Sequence, residues 1–144
     1  MHQSGPAKPL DKYFVYTGNT RYGIQNLAYD AYSGNLFAAV YKGEKKEYPN
    51  YDLFVINGKK PPVNHTIKSD NKSIRVKTLS LLNADPESKP KGWHFPWGST
   101  GLCPLGNGEF YISHNEKVSG NRQQTTLYKY KWSEFNEPPF LVVE

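Results

Sequence analysis

Residues 23–41, GIQNLAYDAYSGNLFAAVY, constrain the fold more than any other stretch of the chain. Two apolar, aromatic-rich runs flank Asp30-Ala31-Tyr32-Ser33-Gly34-Asn35, a segment built to turn. Asp and Asn side chains bond nearby backbone, and Gly accepts a positive φ at little cost. Phe37, Val40 and Tyr41 continue the second run, so a hairpin is predicted at about 23–30 and 35–42.

A looser copy follows at Gly98–His114, GSTGLCPLGNGEFYISH. Gly23 aligns with Gly98 and Leu27 with Leu102 at an offset of 75. Gly34 aligns with Gly108, Phe37 with Tyr111, Leu53 with Leu127 and Phe54 with Tyr128 at an offset of 74. Each copy reads as four strands joined in sequence. The first holds 23–30, 35–42, 51–56 and 73–82; the second holds about 99–105, 109–114, 125–132 and 140–143. The fold class expected is therefore all-β, with two four-stranded antiparallel meander units at about 23–82 and 98–143. A four-stranded meander cannot bury both of its faces alone, and units of this kind stack radially in β-propellers. A β-sandwich of eight or nine strands is the alternative.

The segment YDAYSGNLFAAV resembles the turn-and-strand pattern D-x-x-x-G-N-[LI]-[FY] of propeller blades in the NHL, YWTD and gluconolactonase-like groups. The resemblance covers about forty residues, and the second copy departs from it, with Leu105 in place of Asp30. What it implies is a fold rather than an activity. Two blades leave apolar sheet faces open, whereas closure takes about four or more. Further propeller blades or identical subunits are therefore expected partners.

Eleven tyrosines against one methionine point to pleated surfaces rather than helical stripes. Residues 1–11 read as a polar leader or linker, and 12–144 as a single domain opened by a strand at Lys12–Thr17. Residues 42–50, 59–70, 83–91 and 115–124 read as loops, and Asn57-Gly58 as a turn. SEFNE amounts to one turn at most.

The net charge of +5 arises from 18 basic and 13 acidic residues, but Glu44 and Glu47 interrupt Lys42, Lys45 and Lys46. With three arginines and no continuous basic stripe, no nucleic-acid partner is expected. No run approaches the roughly 18 apolar residues of a membrane span. Cys103 is the one cysteine, so neither an intrachain disulfide nor a cysteine-based zinc site can form. An extracellular or periplasmic location follows if a signal has been removed upstream, and a cytoplasmic one otherwise.

In a propeller, the loops leading into each inner strand share one face with those joining the second and third strands. Here these are Gly18–Gly23 and Gly92–Gly98, with Lys42–Asn50 and Asn115–Gln124. Candidate ligand-binding residues are therefore Arg21, Tyr22, Gln25, Asn26, Trp93, His94, Trp97, Ser99, Thr100 and His114. Trp93-His94-Phe95-Pro96-Trp97 concentrates three aromatic rings and an imidazole. Tryptophans there stack on sugar rings if exposed, with Arg21, Gln25 and Asn26 giving directional hydrogen bonds. Alternatively, Trp93 and Trp97 pack between blades.

No HxH or HExxH spacing, GxSxG, phosphate loop or sialidase-type Asp-box is present, and His2 and His65 fall in predicted loops. No metal or cofactor is expected. Three function classes remain: a module binding a carbohydrate or small polar ligand, part of a hydrolase or lyase, and a protein-interaction scaffold. Asp52, Glu109 and Glu116 are the carboxylates that could line a site.

Overall fold

The Asp30–Asn35 segment turns through its own side chains. In the computed structural model, which describes residues 10–18, 21–69, 72–82, 84 and 89–144, the Asp30 carboxylate is fully buried. It accepts hydrogen bonds from the Tyr32 and Ser33 amides at 3.2 and 3.0 Å and from the Ser33 hydroxyl at 2.6 Å. Gly34 supplies the positive φ, 75°, that the turn requires. The turn joins β2 (Ile24–Asp30) to β3 (Asn35–Val40), whose antiparallel register runs from Asp30–Asn35 to Ile24–Val40 with a bulge between Ile24 and Asn26.

Strand β4 (Leu53–Ile56) pairs with β3 on its other edge. Both NLFAAV and LFVI are near-continuous apolar runs, the pattern of strands covered on both faces, and both are almost wholly buried. This sheet has three strands, not the four expected: most of 73–82 runs instead as a strand (Lys72–Leu79) of a separate sheet, and only isolated bridges border β4. Leu81 bridges Ile56, Trp93 bridges Leu53, and the Leu82 amide donates to the Val55 carbonyl at 2.7 Å.

The second meander is complete. Strands β7 (Leu102–Pro104), β8 (Glu109–Val118), β9 (Arg122–Trp132) and β10 (Phe140–Val142) each pair antiparallel with the next. A third sheet orders β1 (Tyr13–Val15), β6 (Lys72–Leu79) and β5 (Val63–Ser69), with β1 parallel to β6.

The β2–β4 sheet is the middle layer. One face packs Phe37, Leu53 and Val55 against Phe110, Ile112, Tyr130 and Phe140 of the meander, with Trp93 and Phe95 between them. The other packs Ala38, Val40, Phe54 and Ile56 against Leu81 and Ala84, with Val15 and Leu79 alongside. The chain is all-β, and the described residues contain no helix.

Several element boundaries differ from those expected. Residues 59–70, read as a loop, contain β5, and His65 lies in that strand. Residues 115–124 are not a loop but the far ends of β8 and β9, joined by a turn with Gly120 and Asn121 at positive φ. The strands expected at 12–17 and 99–105 contract to β1 and β7. Much of the loop at 83–91 lies outside the described residues, as do residues 1–9 of the leader.

Candidate functional site

The ten nominated residues fall into three places. Arg21 and Tyr22 lie exposed before β2, where the Arg21 guanidinium meets the Glu44 carboxylate at 2.9 Å and lies 5.5 Å from the Tyr22 ring centroid. Tyr22 in turn meets Tyr41 edge-on at 5.8 Å. Gln25 donates to the Gly23 carbonyl at 3.0 Å, a local bond at the start of β2.

Trp93 and His94 form the second place. Trp93 is buried in the core, edge-on to Trp132 at 5.0 Å, with its amide donating to the Leu53 carbonyl at 2.9 Å. Its ring packs between the β2–β4 sheet and the β7–β10 sheet. His94 is exposed and rests on Tyr51, ring centroids 5.1 Å apart. Beneath it the buried Asp52 carboxylate accepts from the Phe95 amide, clamping the Trp93–Phe95 segment onto β4. Burial pushes the Asp52 carboxyl up, while the Phe95 amide and nearby His94 oppose the rise.

The third place holds the other five nominated residues. Trp97 stacks on His114 with centroids 3.8 Å apart and planes 11° from parallel. The Asn26 amide donates to the Gly98 carbonyl at 3.0 Å, holding that loop to β2. The Thr100 hydroxyl bonds the buried Ser113 hydroxyl at 2.9 Å. Ser99, half-buried, sits between these anchored residues. Sequence reasoning missed Tyr128 and Tyr130, which complete the cluster. Tyr128 lies 4.6 Å from His114, and the Tyr130 hydroxyl shares a 2.8 Å hydrogen bond with His114 Nε2. Alternation along β9 puts both tyrosines on the His114 face, since Ile112 pairs with Tyr128 and Phe110 with Tyr130.

Burial holds the His114 imidazole below the usual histidine range, with Glu116 partly opposing, and raises the Tyr130 phenol. Because the folded state disfavours imidazolium, the unfolded chain binds more protons as pH falls through the ordinary histidine range near 6.5. Stability contributed by neutral His114 is therefore present above that range and is lost below it, towards the lowered folded value. Urea unfolding at pH 7.5 and 5.5 should show a larger acid loss for the wild type than for His114→Phe. Equal losses would exclude the assignment.

Two concave sites lie elsewhere, and none of the ten nominated residues lines either. The larger, about 430 Å³, is walled by Tyr16, Tyr48 and Tyr51, with Lys46, Glu47 and Lys89 at its rim. Asn50 pre-organises its 45–50 loop: its side-chain amide donates to the carbonyls of Lys45 and Tyr48 at 2.6 and 2.9 Å. This loop belongs to the 42–50 connection placed on the ligand-facing side from sequence. The signal that could have found the cleft is Tyr48-Pro49-Asn50-Tyr51, two rings spaced by turn residues. The second cleft, about 310 Å³, lies where β5 and β6 meet Ser80, Leu81 and Ala84.

Among the described residues, no group of three or more His, Cys, Asp and Glu side chains is placed to hold a metal ion. Comparison with protein-family models, with curated proteins and with solved structures finds no match to this chain.

Proposed function

We propose that the chain is a binding module that recognises a carbohydrate or a similar polar ligand, and that the tyrosine cleft receives it. The carrying observation is one concavity that combines three aromatic walls, cationic and anionic groups at the rim, and a loop pre-organised by Asn50. Tyrosine faces stack against the C–H surfaces of a sugar ring, and the rim supplies directional hydrogen bonds. A pre-organised loop loses little ordering entropy on binding. The volume lies within the range of small-ligand sites, roughly 300–1,000 Å³.

A glycan array followed by calorimetry tests this reading. Tyr48→Ala should weaken the best ligand about tenfold, which corresponds to losing one stacking contact of about 1.4 kcal/mol. Trp97→Ala should change affinity less than twofold, because Trp97 already spends a face on His114. An array with no hit, or a larger loss from Trp97→Ala than from Tyr48→Ala, counts against the cleft.

A second reading, a propeller-like assembly completed by identical subunits or further blades, is favoured by the outward face of the β7–β10 sheet. Phe37 and Leu53 bury themselves against that sheet, yet their aligned counterparts Tyr111 and Leu127 are 45% and 66% exposed on its far side. Leu141 is exposed with them. Light scattering should show a concentration-dependent rise above the 16.4 kDa monomer mass, abolished by Leu127→Glu. A monomer at all concentrations rejects self-assembly.

A further inference from the structure

Strands β8 and β9 run well past their neighbours. Strand β7 pairs with β8 at 110–112 and β10 with β9 at 130–132, whereas β8 and β9 pair with each other from Glu109–Lys131 to Val118–Arg122. Among the described residues, no strand lies beside the outer edge of β9 from Arg122 to Tyr128. A two-stranded ribbon is only marginally stable alone in water, and an unpaired edge is a template for another strand.

Two bonds fix which backbone groups that edge presents. The Lys129 carbonyl turns outward, accepting from the Val143 amide at 2.8 Å, and the Trp132 amide turns inward to the Gly108 carbonyl at 3.2 Å. The β8–β9 register runs without a shift, so alternation turns the backbone groups of Leu127, Thr125 and Gln123 outward as well. Other edges are blunted: β2 by its bulge, β5 by Lys68, and β8 by Glu116 and Lys117. Residues 123–128, QQTTLY, carry no charge, proline or glycine and include two β-branched threonines.

We propose that β9 pairs antiparallel with β9 of a second copy about a two-fold axis at Thr125, joining two β7–β10 sheets edge to edge. The strand is complementary to itself in that register. Thr125 faces Thr125 and Gln123 faces Leu127, each pair exchanging both backbone bonds. Paired threonines are favourable across strands. On the other face, Arg122 of each copy comes opposite Tyr128 of the other, a cation beside a ring that is 40% exposed. No like charges meet, since Arg122 is the one charged residue in 122–128. The contact follows the strand edge and rests neither on stacking of the outward sheet face nor on a ligand in the tyrosine cleft.

Sedimentation equilibrium of the full chain should show a monomer–dimer equilibrium. Thr125→Pro removes an outward amide that β8 does not use, and should weaken dimerisation about tenfold or more. Leu141→Glu, a charge on the outward face, should change it less than twofold. In a Cys103→Ser background, Thr125→Cys should join two copies by a disulfide on oxidation, because facing Cα atoms lie about 5.5 Å apart. Gln123→Cys should not, because it lies four residues, about 14 Å, from its own counterpart. A monomer at all concentrations, as expected if the edge takes an extended peptide of another protein instead, overturns the proposal. So does a dimer that survives Thr125→Pro, or oxidation that joins Gln123→Cys as readily as Thr125→Cys. Should Thr125→Pro fail to fold, the cysteine pair decides.

Discussion

Phe37→Ala is expected to lower the unfolding free energy by about 4 kcal/mol, the range found when a large aromatic is truncated in a packed core. Phe37 has no exposed surface and sits at the junction of the two main sheets. Its ring meets Phe110 at 4.8 Å, Trp132 at 4.9 Å and Phe140 at 6.0 Å, so one truncation removes partners from three strands of the meander. Those neighbours are themselves locked: Phe110 and Phe140 are within 2% of full burial, and Trp132 is wedged against Trp93. The cavity therefore has little freedom to collapse, which places the cost in the upper half of the range. For a chain of this length that is a fall in melting temperature of roughly 8–16 °C. Leu127→Ala, on an exposed site of the same sheet, should stay within about 0.5 kcal/mol of the wild type. Calorimetry of both variants checks the pair, and a Phe37→Ala loss below about 1.5 kcal/mol would mean that the sheets do not share this core.

The residues that made the fold legible are those whose burial is continuous along the chain. NLFAAV and LFVI are apolar at nearly every position because both faces are covered, and a run of that kind announces a central strand. Turn chemistry was equally readable, since Asp30, Ser33 and Gly34 act on their own neighbourhood. The far ends of β8 and β9 carry no such signal. Their residues NEKVSGNRQQ are polar on both faces because the hairpin projects into solvent. It is held by backbone pairing and by cross-strand bonds such as Thr125 to Asn115 at 2.8 Å, which leave no hydrophobic period to read. In β5, Val63, His65 and Ile67 do alternate, but the preceding Pro61-Pro62 and the polar partners obscure the pattern.

The candidate site was less legible, for a different reason. The Trp93–Trp97 loop carries a dense local signature, yet its rings divide between the core, as Trp93 does, and a stacked cluster, as Trp97 does. Aromatic density alone does not distinguish a ring that packs from a ring that waits for a ligand. Both clefts arise where distant segments meet: the end of β1 with the 46–51 loop in one case, and β5 with Leu81 in the other. No local spacing encodes a meeting of that kind. A residue such as His65, set down as a loop histidine from sequence, acquires its chemistry only from what surrounds it.

Gly58→Ala should be as disruptive as a core truncation, at about 3 kcal/mol or more, although it adds a single methyl group to an exposed turn. An ideal Cβ at Gly58 would lie 1.8 Å from the Gly34 carbonyl oxygen and 3.0 Å from its carbonyl carbon. Both contacts are backbone, so no side chain can swing aside. Nor can the Gly34 turn retreat cheaply, since Asp30 fixes it by three hydrogen bonds from beneath. Moving the 57–60 turn instead would break the Gly58 amide bond to the buried Asn35 Oδ1, 3.3 Å, and draw Asn57 from the Ser80 carbonyl, 2.9 Å. That second bond ties β4 to the segment bordering the smaller cleft. Three glycine variants should rank in order of these constraints. Gly23→Ala meets nothing within 4 Å and should fall within about 0.5 kcal/mol of the wild type. Gly34→Ala has room but a φ of 75°, costing about 1–2 kcal/mol. Gly58→Ala should lie well beyond both. Urea midpoints of the three variants test the order, and a Gly58→Ala protein as stable as Gly23→Ala would show that the two turns do not touch.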